Sequence, residues 1–345
     1  MRPRASATCS TLPEATPALE AGLAAWLADA WGAPARVCGV RRFHGGAARE
    51  TYALVAETAS ARHRLVLRRD PPSSLISTSR AVEFHALARA HAAGLPAPRP
   101  LLLDTEGRWL GAPAFLMEEV GGGRAPGLFE PDPYGADRAA IGAQFFGALG
   151  RLHALVPDEA DMAALPHQDA ARRLAWWRAE IEARAQGPEP VARAALRWLE
   201  RHLPEPSGPP AIVHGDARSG NFLVGGGRLL ALLDWEMAHI GDPMEDLAWA
   251  CDPLWGHDAA DLVAATLPLD RAAACWEAAS GRRFAREAWG WWRLFAGVQG
   301  LAIWISSAHE VAARRGLDPV LLFAGLYPYR FHNAAVARML CELAA

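Results

Sequence analysis

Two apolar strands, each running into a polar loop that carries an aspartate, constrain this chain more than any other feature. The first strand enters Val213-His214-Gly215-Asp216-Ala217-Arg218-Ser219-Gly220-Asn221, and apolar sequence resumes at Phe222-Leu223-Val224. A hairpin through Gly225-Gly226-Gly227 is predicted to return as Leu229–Leu233, which ends at Asp234-Trp235-Glu236. Strand–loop–strand–loop order brings Asp216, Arg218, Asn221 and Asp234 to one edge of the lobe that holds them.

That set of side chains suits phosphoryl transfer from a Mg-nucleotide. One carboxylate accepts the proton of an attacking hydroxyl, a cation offsets charge on the transferred group, and an amide with a second carboxylate holds Mg²⁺ against the phosphates. The bland alternative is a polar surface loop followed by an unrelated buried aspartate. The joint spacing of the four residues favours the chemical reading.

Composition narrows the field further. All 35 residues counted as Lys+Arg are arginine. A chain without lysine excludes Schiff-base catalysis, lysine-anchored pyridoxal phosphate and the G-x-x-x-x-G-K-[ST] phosphate loop. A net charge of −3 argues against a nucleic-acid partner. Cys9, Cys38, Cys251, Cys275 and Cys341 are scattered and never form C-x-x-C, so the expectation is a reducing, cytoplasmic setting with no disulfide framework or zinc site. No histidine pair has metalloprotease spacing. Glu14, Glu20 and Asp29 interrupt any signal-peptide core, and the longest apolar run, Leu294 to Ala308, contains Gln299, Ser306 and Ser307, so no membrane span is expected.

Hydrophobic periodicity predicts helices at Ala18–Trp31, Ser79–Ala93, Asp137–Val156, Ala170–Ala185 and Val191–Arg201. Strands are predicted at Cys38–Phe43, Thr51–Ala56, Arg64–Arg69, Pro100–Leu103, Ala114–Glu119 and Ala211–Val213, besides the hairpin. Everything beyond Pro243 reads as helix. Asp242-Pro243-Met244-Glu245 has the form of a capping box with Asp242 at the N-cap. The outline is an α+β chain: a small antiparallel sheet with one internal helix, a glycine-rich connector at Gly121-Gly122-Gly123, and a larger helical part.

With H-G-D-x-x-x-x-N at 214–221 and L-D-W-E at 233–236, the chain resembles the aminoglycoside phosphotransferase and choline-kinase-like branch of the protein-kinase-like fold. It is similar in particular to the kinase-like domains fused to some acyl-CoA dehydrogenases and to their free-standing bacterial relatives. Gly45 to Tyr52, Leu65 to Pro72 and Gly241 to Ala248 carry the same likeness, which covers about residues 38–330.

The resemblance implies a two-lobed fold: a disordered lead-in over 1–16, a nucleotide-binding sheet lobe over 17–117, a hinge over 118–123, and a helical lobe over 124–345. The helical lobe would hold a catalytic loop at 213–224 and a metal loop at 233–242. It implies Asp216 as catalytic base, Arg218 as the cation of the catalytic loop, and Asn221 and Asp234 as Mg²⁺ ligands. ATP would lie under Gly45 and Gly46 and be read by the main chain at Glu118 and Val120.

Arg68 is the expected phosphate clamp, with Glu83 as its partner on the following helix. Strand alternation puts Arg68 with Val66, while Glu83 shares a helical face with Leu87 and Ala90, where a carboxylate needs a cation. An arginine fork can hold carboxylate and phosphate together. Two unrelated surface charges are the alternative. Asp246 is expected to buttress the catalytic loop, Glu236 to assist the metal or stand just outside it, and His214 to pack as a buried ring. Trp176, Trp177, Trp289, Trp291, Trp292 and Trp304 lie on helices expected to flank the acceptor pocket, most of them as core.

The activity so implied is transfer of the ATP γ-phosphoryl group to a hydroxyl of a small molecule, such as a hydroxyacyl thioester, an amino alcohol, a sugar or an antibiotic. Polycationic antibiotics would want an acidic groove, and the helical segments show no acidic clusters. A silent nucleotide-binding pseudokinase regulating a partner is the second hypothesis; it is disfavoured because base, metal ligands and ion pair are all present. A protein kinase is disfavoured because Trp-Glu, not Phe-Gly, follows Asp234.

Overall fold

The computed structural model describes residues 17–43, 50–70, 78–257, 259, 261–313 and 319–344. The predicted turn at Gly45 and Gly46 and the lead-in over 1–16 lie outside these residues. Two compact units divide the chain, Met1–Pro71 with Leu101–Glu119, and Pro72–Pro100 with Val120–Ala345.

The first unit is built on helix α1 (Pro17–Trp31) and strands β1 (Arg36–Arg42), β2 (Glu50–Glu57), β3 (Arg62–Arg69), β4 (Pro100–Asp104) and β5 (Ala114–Glu118). Its sheet has the order β1-β2-β3-β5-β4, and the β1–β2, β2–β3 and β3–β5 pairs are antiparallel. Leu23, Trp26 and Leu27 of α1 join Leu54, Leu65, Leu67 and Leu116 of the sheet in one buried cluster. Full burial of each leucine contributes about 1.5–3 kcal/mol relative to exposure. The cluster takes Leu65 and Leu67, so alternation turns Val66 and Arg68 to the other face. Arg68 is nonetheless buried, opposite Thr51 on β2 and Phe115 on β5.

The second unit holds α2 (Arg80–Ala92), α3 (Arg138–Ala154), α4 (Glu159–Ala164), α5 (Ala170–Arg184), α6 (Pro190–Arg201), α7 (Met244–Ala250), α8 (Leu269–Ser280), α9 (Trp289–Ala312) and α10 (Pro319–Ala344). Ser79 caps the start of α2 by accepting a hydrogen bond from the Ala81 N–H. By its contacts α2 belongs with this helical unit rather than with the sheet. Among the described residues no helix is long and apolar enough to cross a membrane.

Two small antiparallel pairs position the loops of interest. Strand β7 (Phe222–Gly225) pairs with β8 (Arg228–Leu232) as the predicted hairpin. Strand β6 (Ala211–Val213) pairs with β9 (His239–Gly241), in the register Ala211 to Gly241 and Val213 to His239. The periodicity gave no sign of β9, which is three residues long, nor of the one-and-a-half-turn α4.

The capping box predicted at α7 does not form. Asp242 accepts from the Met244 N–H at 2.9 Å, but it also takes the Ser207 N–H and hydroxyl at 2.8 and 2.6 Å. Glu245 turns inward to the Arg173 guanidinium at 2.8 Å instead of reaching back to cap. Glu245 and Arg173 are both buried, and a buried carboxylate goes to the available cation.

Candidate active site

Strand β6 delivers His214, Gly215 and Asp216 at its end, and β9 leaves the segment that follows Asp234. The two loops are also stitched directly, since the Leu233 N–H donates to the Asn221 carbonyl at 2.8 Å. Gly215 has φ +82°, and a Cβ there would collide with the Met237 carbonyl oxygen. Glycine is required at this crossing on both counts.

The Asp216 carboxylate is held by named donors on each oxygen. Oδ1 accepts from Arg218 Nε at 3.1 Å and from Trp249 Nε1 at 2.6 Å. Oδ2 accepts from Asn221 Nδ2 at 2.6 Å, and the same amide nitrogen reaches the Asp216 carbonyl at 2.9 Å. Burial pushes the carboxyl upward, Arg218 opposes that, and the neighbouring Asp234 charge adds to it; the outcome is a pKa of about 6. A carboxylate poised near neutrality suits a general base.

Asn221 spends its N–H₂ group on Asp216, which leaves its side-chain oxygen as the ligand atom for a cation. Asp234 stands in the left-handed region, φ +69°, at the start of a 3-10 turn over Trp235–Met237. One amide oxygen beside two neighbouring carboxylates, Asp234 adding its charge to what raises Asp216, fits a hard divalent cation, which takes oxygen ligands and completes its shell with phosphates and water. Among the described residues no cluster of three or more His, Cys, Asp or Glu forms a closed metal cage.

Behind the loop stands a buried relay. Asp246 on α7 accepts from the Gly215 N–H at 2.8 Å through Oδ1, and from the His214 N–H at 2.7 Å through Oδ2. His153 on α3 lies 3.0 Å from Asp246 Oδ2 through Nε2, and its Nδ1 accepts from the Trp276 indole at 2.8 Å. Burial works to raise the Asp246 carboxyl, but the hydrogen bond from His153 and the surrounding charges hold it below the ordinary carboxylate range. Gln299 on α9 closes the other side, donating to the Gly215 carbonyl at 3.1 Å. His214 is fully buried, its ring 4.4 Å from that of Trp235, and burial lowers its pKa.

The remaining predicted residues take these places. Arg218 is drawn onto Asp216 and lies over the Trp255 ring at 4.6 Å. Glu83 is buried on α2 and paired with Arg80, whose guanidinium also meets Glu236 at 3.4 Å. Glu236 is thus engaged with a cation of α2. Arg68 and Glu83 fall in different units. Glu118 is the exposed last residue of β5, and Val120 is half-buried at the start of the second unit.

The tryptophans that touch this site are not those the sequence singled out. Trp249 and Trp255 are, with ring centroids 5.2 Å apart. Trp177 and Trp292 are fully buried core, and Trp291 is tied to the Leu199 carbonyl. Trp249 carries no motif that would have flagged it. Gln299 does: a lone amide inside an apolar helix must find a buried partner.

Residues 39–293 match the phosphotransferase enzyme family, APH. The chain belongs to this family. Among curated proteins it is similar to acyl-CoA dehydrogenase family member 11 of Gallus gallus, 28% identical over 228 residues, covering 63% of this chain and 28% of that protein. The Homo sapiens protein of the same name is 29% identical over 189 residues, covering 53% of this chain and 24% of that protein. The chain thus spans about a quarter of the length of these relatives.

Several solved structures share the fold. A Ralstonia eutropha protein provisionally assigned as an aminoglycoside phosphotransferase superposes with a TM-score of 0.71 at 22% identity, over 93% of this chain and 98% of that one. The choline kinase LicA of Streptococcus pneumoniae gives 0.58 at 16%, over 89% and 94%. The aminoglycoside phosphotransferase APH(4)-Ia, solved with AMP-PNP and hygromycin B, gives 0.56 at 14%, over 94% and 99%. The protein-kinase-like α+β fold expected of the family is therefore the fold of this chain.

Proposed function

We propose that this chain is an ATP- and Mg²⁺-dependent phosphotransferase that moves the γ-phosphoryl group of ATP to a hydroxyl of a small molecule. The observation that carries the reading is the Asp216 carboxylate, held by Arg218, Trp249 and Asn221, beside an Asn221 amide whose oxygen is left for a cation.

Each oxygen of Asp216 has a different task. Oδ1 is occupied by two donors, whereas Oδ2 has one and keeps a lone pair for the acceptor hydroxyl. Asp216 Oδ2 takes that proton as the hydroxyl oxygen attacks. Arg218, adjacent to the base, offsets negative charge on the transferred group. Asn221 and Asp234 would hold Mg²⁺, which when bound neutralises charge on the nucleotide phosphates. By family likeness Arg68, steadied by Glu83, Gly45 and Gly46, and the main chain at Glu118 and Val120 would hold ATP.

The acceptor is a small hydroxyl compound: a hydroxyacyl thioester, an amino alcohol, a sugar or an antibiotic. Similarity to proteins named as acyl-CoA dehydrogenase family members favours the first. A γ-labelled ATP screen against hydroxylated metabolites tests the reading, with Asp216→Asn as control. Undiminished transfer in that variant would remove the assigned base. A thermal shift with Mg-ATP that survives Asp234→Ala unchanged would remove the metal role.

A further inference from the structure

The loop between α5 and α6 builds a second concave feature that shares no residue with the Asp216–Asp234 cluster. A groove of about 420 Å³ is lined by Arg178 of α5 and by Arg193 and Arg197 of α6, over a floor that includes Ile181 and Leu196. That volume is in the range of small-ligand sites, roughly 300–1,000 Å³. Arg193 and Arg197 sit one helical turn apart, and both are exposed. Neither guanidinium forms a hydrogen bond or ion pair with any described residue. Arg178 is committed to Glu200 and, at 3.4 Å, to Glu182. Glu182 is the sole acid in the lining, so the groove carries a formal surplus of two positive charges.

The backbone that places these arginines is strained. Glu189, at the entry to α6, has φ +42°, a left-handed conformation that costs a non-glycine residue free energy. Its carbonyl accepts the Arg193 N–H at 3.0 Å, and its side chain accepts from the Tyr329 hydroxyl at 2.8 Å. The conformation that aims Arg193 at the groove is therefore held from α10.

We propose that this groove is an anion site for a small ligand bearing a phosphate monoester or pyrophosphate dianion. Two guanidinium forks free of protein partners, a matching surplus of charge and an apolar floor suit such a ligand. Arginine binds phosphoryl oxygens in bidentate fashion, which a compact ammonium cannot do. The site is independent of the proposed kinase reaction.

The test is calorimetric titration with inorganic pyrophosphate at fixed ionic strength in chelator, on the full chain. The expected result is saturable binding to wild type, retained in Asp234→Ala and weakened at least tenfold in the double variant Arg193→Ala/Arg197→Ala. Both arginines are exposed, so the double variant should keep its melting temperature. Glu189→Gly, which relieves the backbone strain, should weaken binding without affecting the fold. Absence of binding to wild type would overturn the proposal, as would affinity within twofold of wild type in the double variant. Binding lost in Asp234→Ala but kept in the double variant would place the anion in the Asp216–Asp234 cluster instead and equally overturn it.

Discussion

The Trp249 indole N–H donates to Asp216 Oδ1 across 2.6 Å, fixing one oxygen of the carboxylate while the other accepts from Asn221. The same ring packs against Trp255 and is stacked with His332, centroids 6.2 Å apart. His332 is itself pinned by the Trp304 indole at 2.8 Å and by Asp252 at 3.1 Å. The orientation of this carboxylate thus depends on a residue of α7 outside every sequence motif.

Trp249→Phe keeps the ring and removes the N–H. That hydrogen bond lowers the Asp216 pKa, so its loss raises it further. The base must be ionised to act, and the acidic limb of the rate profile therefore moves to higher pH. Turnover at pH 7 should fall about tenfold, ~1.4 kcal/mol in the barrier. A pH–rate profile checks both; an unshifted limb would show that the indole does not touch the working carboxylate.

Asp216→Asn should abolish transfer and yet stabilise the ligand-free protein. The Asp216 pKa is raised on folding, so its contribution to stability is present in acid and lost as pH rises through about 6. Replacing it with a neutral isostere should raise Tm by a few degrees at pH 8. The gain should shrink at pH 5, where the wild-type carboxyl is largely protonated. Calorimetric melts at the two pH values decide the matter.

Asp246 has the opposite sign. Its pKa is depressed, so its stabilisation is present above the ordinary carboxylate range and lost as pH falls through the folded value. Asp246→Asn puts an N–H₂ group against the His214 and Gly215 N–H donors and should cost about 2–4 kcal/mol at pH 7. Urea unfolding should show this gap narrowing in acid. A gap independent of pH would mean that the carboxylate charge is not what holds the loop.

Arg80 is the buried cation between Glu83 and Glu236. Arg80→Gln leaves two acids without it, and removal of one partner from a buried pair costs about 3–5 kcal/mol. The double substitution with Glu83→Gln should recover part of that loss. Denaturant midpoints for the single and double variants measure it, and additive losses would refute the pairing.

Most of the fold was legible because its elements are long enough to show a period. The sheet strands, α2 with Ser79 at its start, and the glycine hairpin all stand within a few residues of their predicted places. Strand β9 was not, because three residues carry no alternation and its pairing with β6 is a long-range choice. The acidic cluster was legible through spacing along the chain. Its supports were not: Trp249, His153 and Arg80 reach the loops through tertiary contacts that leave no local pattern, and only Gln299 advertised itself as an amide in an apolar helix. The capping box failed because Glu245 had a stronger use for its charge than the start of the helix whose first turn it occupies.

The ladder of β6 and β9 sets more than local geometry. One strand feeds the loop bearing Asp216, and its partner collects the chain after Asp234, so main-chain pairing fixes the separation of the two acids. Side chains elsewhere on the two loops can then vary while that separation stays put. A scaffold of this sort separates the geometry of the two acids from whatever sequence surrounds them.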